Sequence, residues 1–208
     1  MALKMGWTVI WNSGKVESDK MNAFLGTEAK DRQRVTWRVR LWDENGEAGD
    51  WSEEAFFEMG VLERSALSAK WINPELECDP TVHKPASYLR KSFTVEKSGA
   101  FRLYITAHGL YEAWINGQRV GDFVLAPGAG TYGKKLPYQT YDVTDLVKDG
   151  ANDVQVILGD GWYRSCSGVD GDRNLYGEDV ALYFQLEQDG RPVCISDETW
   201  EATQQGPI

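Results

Sequence analysis

Short runs of alternating apolar and polar residues, closed one after another by glycine-bearing turns, limit what this chain can fold into more than any other feature it has. VTWRVRLW, FRLYITA, YEAWI, DVQVIL and VALYFQLE all carry, over most of their length, the period of two that sends successive side chains to opposite faces of a strand. No segment sustains a 3.6-residue period between caps, and ERSALSAK at residues 63 to 70 offers at most about two helical turns as a connector. Strand runs at this spacing predict an all-β protein of the sandwich type with little helix.

The clearest turn is Asn116-Gly117 within YEAWINGQRVGD. A tight hairpin needs φ > 0 at both central residues, which Asn and Gly tolerate, so YEAWI and QRVGD should pair across it. YDVTDL, residues 141 to 146, reads as a strand entering a tight turn in which Asp142, Thr144 and Asp145 bond backbone N–H groups. Nine tryptophans are many for 208 residues. Such rings fill sandwich cores or stack on ligands, and the core is the commoner fate.

Charge and cysteine content exclude several functions. A net charge of -10 repels phosphates, which argues against nucleic acid or an anionic membrane and for a neutral partner. No run approaches the roughly 18 apolar residues of a membrane span. MALKMGWTVI has no long apolar stretch with a small-residue cleavage site, so the expected location is cytoplasmic. Cys78, Cys166 and Cys194 are an odd number without CxxC spacing and read as reduced thiols, with neither a disulfide framework nor a zinc site. His83 and His108 have no Cys or Ser partner at a meaningful spacing, which leaves nucleophilic catalysis without support.

The chain divides near residue 60. Residues 1–62 read as half of a small sandwich, with Thr36, Arg38 and Arg40 on one face of a strand and Val35, Trp37, Val39 and Leu41 on the other. Residues 63–86, which include the proline-containing NPELECDPTVHKP, read as a linker. Residues 87–208 form the larger domain, with its own strands and turns.

Specific segments resemble the N-terminal region of bacterial α-L-rhamnosidases of glycoside hydrolase family 78. WNSGKV, VTWRVRLWDENGEAGDWS and FFEMGVL resemble the later strands of their fibronectin type III-like domain. YLRKSFTV (88–95), GLYEAWINGQRVGD (109–122), LAPG (125–128), YQTYDVTDLVKDGAND (138–153), LGDGWYR (158–164) and LYGEDVALYFQLE (175–187) resemble the domain that follows. The resemblance implies a partial fibronectin/Ig-like β-sandwich and then a galactose-binding-like jelly-roll β-sandwich. It also implies that the catalytic carboxylates of an inverting enzyme lie in an (α/α)6 barrel further along the polypeptide, so that this chain is a noncatalytic fragment whose partner is that barrel. The residues agree: inverting hydrolysis needs two carboxyl groups held rigidly across the scissile bond, and the 32 acidic residues here come with no helical barrel pattern to hold them. Against the family, strands are missing before WNSGKV and after SDETWEATQQGPI. The first half should then expose a sheet edge and apolar surface, and either be partly disordered or pair with the larger domain or with another copy.

Two places could hold a sugar. Asn116 is the first, because jelly rolls of this sort bind sugars at loops or on a concave sheet. Some domains of this type are classed as carbohydrate-binding module family 67 and hold L-rhamnose through calcium with an Asp-Asn pair; here Ile115 precedes Asn116, so half of that pair is absent at this turn. The second is LGDGWYRSCSGVDGDRNLYGED, where Asp160, Trp162, Tyr163, Arg164, Asp172, Arg173, Asn174 and Tyr176 combine flat rings with amides and charges. The competing reading has Trp162 and Tyr163 capping the sandwich, Asp160 and Arg164 forming structural hydrogen bonds, and the loop docking on the barrel. Asp170, Asp172 and Asn174 alternate as oxygen ligands would, but an EF-hand places Gly sixth and Glu twelfth, and here Gly177 is eighth. No cofactor is required; calcium is the one cation the pattern and the resemblance bring forward. Two functions follow: an accessory module packed on a catalytic barrel, or an autonomous module for L-rhamnose-containing plant or microbial glycans. An open cleft would favour the second and an exposed apolar patch the first.

Overall fold

Alternation along the sequence becomes thirteen strands among the described residues of the computed structural model, which are 2–5, 8–74, 76, 84–166 and 171–207. Trp7, Cys78, His83 and Asp170 lie outside them. The chain forms two compact units, Met1–Leu67 and Ser68–Ile208.

The first unit is one antiparallel sheet of β1 (Ala2–Met5), β2 (Thr8–Asn12), β3 (Arg34–Arg38) and β4 (Ala55–Glu58), in the order β2-β1-β3-β4. Val35 is its single fully buried large apolar residue among those described, whereas Phe24, Leu41 and Phe56 are exposed. Arginine guanidinium groups cover some of its rings: Arg34 lies 3.8 Å over Phe56, and Arg40 lies 4.8 Å over Trp51 and 5.0 Å over Trp42. A single 3₁₀ turn at Arg64–Ala66 is what ERSALSAK becomes.

The second unit is a two-layer antiparallel sandwich. One sheet has five strands, β13 (Glu201–Thr203), β5 (Ser87–Val95), β10 (Gly150–Gly159), β7 (Leu110–Ile115) and β8 (Gln118–Arg119), in that order. The other has four, β12 (Arg191–Ile195), β11 (Ala181–Gln188), β6 (Phe101–His108) and β9 (Gln139–Asp142). The core lies between the sheets, with Leu89, Phe93, Ile115, Val156 and Leu158 on one side and Phe101, Leu103, Ile105, Leu182, Phe184 and Leu186 on the other. Each large side chain fully buried there stabilises the fold by about 1.5–3 kcal/mol. Trp200 meets Phe184 edge-on at 5.3 Å.

The stretch after Leu67 is bound into this sandwich. Ser68 and Ala69 donate their N–H groups to Gln185 Oε1, and Ile72 exchanges two backbone bonds with Leu182. At the Asn-Gly turn, Ile115 pairs with Gln118 while Asn116 and Gly117 adopt φ of 53° and 77°. At the second turn, Asp142 Oδ1 accepts from Thr144 N–H and its hydroxyl, and Thr144 Oγ1 accepts from Phe101 N–H.

Candidate functional site at one end of the sandwich

β10 ends at Gly159, which pairs with Leu110 at the start of β7, and the chain then makes the single helical turn α1 (Gly161–Arg164). The loop from 171 returns to that turn: Asn174 donates its N–H to Arg164 O and Tyr176 donates to Tyr163 O. Beneath it, Asp160 is clasped by Arg164 (2.6 Å) and faces Arg173 (3.6 Å). Arg164 is almost wholly buried and also donates to Glu178 O. Arg173 Nη1 further donates to Cys166 Sγ at 3.2 Å. Asp160, Arg164 and Arg173 therefore bond one another first, and the group holds the loop down.

Above this cluster runs a line of rings from four separate segments. Trp71 stacks on His108 at 4.2 Å, and His108 stacks on Tyr163 at 4.7 Å. Tyr132 meets Tyr163 at 5.2 Å and Tyr176 at 5.0 Å. Burial pushes the His108 imidazole below its ordinary pKa, and burial likewise raises the phenols of Tyr132 and Tyr163. Trp162 and Tyr176 remain about two-fifths exposed.

The exposed apolar residues are unevenly placed. Among the described residues of the larger unit, the eight large ones, Trp71, Phe123, Val124, Leu125, Tyr138, Trp162, Leu175 and Tyr176, belong to segments at this same end. The opposite end is built from polar turns such as Glu96 to Gly99, Lys148 to Gly150 and Asp189-Gly190. Sequence reading found Trp162, Tyr163 and Tyr176 but missed Trp71, His108, Tyr132 and the Phe123 to Leu125 tip. The unalternating run FVL before APG was the one local signal available for that tip.

Asn116 is not part of this end. It lies at the far end of β7, about 20 Å from Leu110 at strand rise. Its Nδ2 donates to Leu146 O and to Asn152 Oδ1, both at 2.8 Å, and its Oδ1 accepts from Asp153 N–H at 3.1 Å. Both amide protons are thus used inside the fold, and Asn116 and the Trp162 loop do not line a common cleft. For a cation, Asp172 is exposed, Asn174 stands at φ 59°, and among the described residues no three His, Cys, Asp or Glu side chains converge. Calcium takes about 6–8 oxygens, so the described pair alone does not fit it.

A tandem of an immunoglobulin-like sheet and a two-sheet sandwich with one aromatic loop end is the class of molecule these observations define. Residues 96–208 match the family of the alpha-L-rhamnosidase N-terminal domain, and the chain belongs to it. Residues 4–63 match the Rha78A-like N-terminal immunoglobulin domain. An alpha-L-rhamnosidase of Formosa agariphila is 39% identical over 217 aligned positions, which cover 96% of this chain and 23% of the relative. One of Streptomyces avermitilis is 40% identical over 162 positions, covering 77% of this chain and 15% of the relative. The crystal structure of the Aspergillus terreus enzyme superposes with a TM-score of 0.83 at 34% identity, over 97% of this chain and 24% of that one. The chain thus spans about a quarter of the length of the relatives it matches most fully.

Proposed function

We propose that this chain is a noncatalytic N-terminal portion of an inverting α-L-rhamnosidase. In this reading the larger sandwich docks its aromatic loop end on a catalytic (α/α)6 barrel and helps to wall the substrate site. The observation that carries it is the gathering, at one end, of the exposed large apolar residues described in the larger unit, since an apolar patch of this kind marks a surface meant to be covered. Asp160, clasped within that end, is committed to arginines, which suits a structural part. In the protein that joins this chain to its barrel, Phe123→Ser with Leu125→Ser should lower the thermal midpoint of the catalytic part and kcat/KM for an aryl α-L-rhamnoside. Unchanged midpoint and activity would refute docking, and turnover by the 208-residue chain alone would refute its noncatalytic character.

A second reading, an autonomous module for L-rhamnose-containing glycans, is supported by the exposed rings of Trp162 and Tyr176 beside a polar loop. Calorimetry with L-rhamnose before and after calcium chelation tests it: heat lost in Trp162→Ala supports the reading, and its absence at millimolar sugar rejects it.

A further inference from the structure

The outer face of the five-stranded sheet carries a groove of about 640 Å³ that the docking end does not use. Strand alternation decides which side chains reach it. On β5, Leu89 and Phe93 turn into the core, so Tyr88 and Arg90 turn outward; on β10, Val154, Val156 and Leu158 turn inward and leave Gln155 and Ile157 outside. Trp114 is outward on β7 between the buried Ala113 and Ile115. Pairing register then sets these residues in two rows across the strands. Thr203, Tyr88 and Ile157 form one row; Glu201, Arg90, Gln155 and Trp114 form the other.

The chemistry of the rows selects a ligand. Tyr88 and Trp114 are two strands and one row apart, about 12 Å by strand spacing, far enough for each ring to take its own sugar unit. The backbone of Gly206 lies against the Tyr88 ring so closely that a Cβ there would overlap it, which props the ring at the groove edge. Both arginines on this face are already engaged: Arg90 bonds Asp153 at 2.5 Å and lies across the strands from Glu201, and Arg119 reaches Glu112 at 3.4 Å. An anionic ligand would find no free cation and a surplus of carboxylates. Neutral hydroxyls would find partners: Gln155 donates one amide proton to Asp153 and has a second proton and its carbonyl oxygen to offer, and Thr203 Oγ1, which accepts from Gln205 N–H, keeps its own proton. Among the described residues the Trp114 indole N–H has no hydrogen-bond acceptor. A protein partner would instead favour the apolar end, where the exposed large hydrophobics are.

We propose that this groove binds an extended neutral oligosaccharide, with Tyr88 and Trp114 stacking on separate sugar units and Gln155 and Thr203 meeting their hydroxyls. This goes beyond docking and is independent of it. The test is affinity electrophoresis of the 208-residue chain in native gels containing a soluble rhamnan or xylan. Retardation by one of them is expected, weakened about tenfold in Trp114→Ala and in Gln155→Ala, whose exposed side chain leaves the fold intact. Phe123→Ser with Leu125→Ser, calcium chelation and millimolar free L-rhamnose should leave it unchanged. No retardation by either polymer, or full retardation of both groove variants, overturns the proposal. Retardation lost only in the Phe123 and Leu125 variant moves the sugar to the loop end and overturns it equally.

Discussion

Asn116→Ala should cost the larger sandwich about 4 kcal/mol, although the residue sits in a two-residue turn. The change removes three hydrogen bonds, those to Leu146 O, Asn152 Oδ1 and Asp153 N–H, each contributing about 1 kcal/mol. It also places alanine at φ 53°, which costs about 1 kcal/mol that asparagine largely avoids. Asn116→Gly loses the bonds but not the conformation, so about 3 kcal/mol is expected, and the difference between the two variants isolates the strain. For a unit of this size about 3 °C accompanies each kcal/mol, which predicts a midpoint about 12 °C lower for the alanine variant. Urea unfolding gives the free energies, and amide exchange in peptides from β7 and β10 ties them to this unit rather than to the first. A loss below about 1 kcal/mol for alanine, with the β10 amides still protected, would refute the clasp.

Three further outcomes follow from the loop end and the core. Because burial between Trp71 and Tyr163 lowers the His108 pKa from 6.5, the unfolded chain binds this proton first as pH falls; stability is complete above about pH 6.5 and declines below it, and His108→Gln should flatten that part of a midpoint-against-pH profile. Asp160→Ala leaves the nearly buried Arg164 without its carboxylate and should cost about 3 kcal/mol in urea, whereas Asp153→Ala, opposite the exposed Arg90, should shift the urea midpoint far less. Burial pushes the Cys194 thiol up to about 12, so iodoacetamide at pH 8 should label the exposed Cys166 and spare Cys194 in peptide mass spectra; equal labelling would contradict the core packing.

What could be read from the sequence was local. The period-two runs became β3, β6, β7, β10 and β11, and Asn116-Gly117 became the turn its φ preference requires. The partners of Asn116 were not legible, because Leu146 and Asn152 reach it only after β10 has paired with β7. His108 looked isolated for the same reason: Trp71 and Tyr163 come to it from two distant segments, and Tyr132 joins the line only through Tyr163. Ser68 to Ile72 read as linker because a stretch so short carries no period, and its attachment depends on Gln185 and Leu182. In the first unit, Leu41 shares the alternation of Val35 yet is 80% exposed, since the regular strand ends at Arg38 and the pattern beyond it has no sheet to bury against.

Docking by an end leaves a sheet face open, and the geometry of the two surfaces makes a separable prediction. The rows of Tyr88 and Trp114 run across the strands, so they lie parallel to the end surface that bears Phe123 and Trp162. A glycan held in the groove would therefore lie alongside a docked barrel and keep the polymer near it without entering its site. Groove variants should then raise KM for a polymeric rhamnoside and leave kcat/KM for a small aryl rhamnoside unchanged, while docking variants should lower kcat/KM for both substrates. Arg119 pairs with Trp114 and donates to Phe123 O, whereas Gln155 bonds Asp153, so the free-energy effects on the polymer of Gln155→Ala and Leu125→Ser should add within about 0.5 kcal/mol. A double variant no worse than the poorer single one would mean that groove and end act as one surface, and the division of labour between face and end would be wrong.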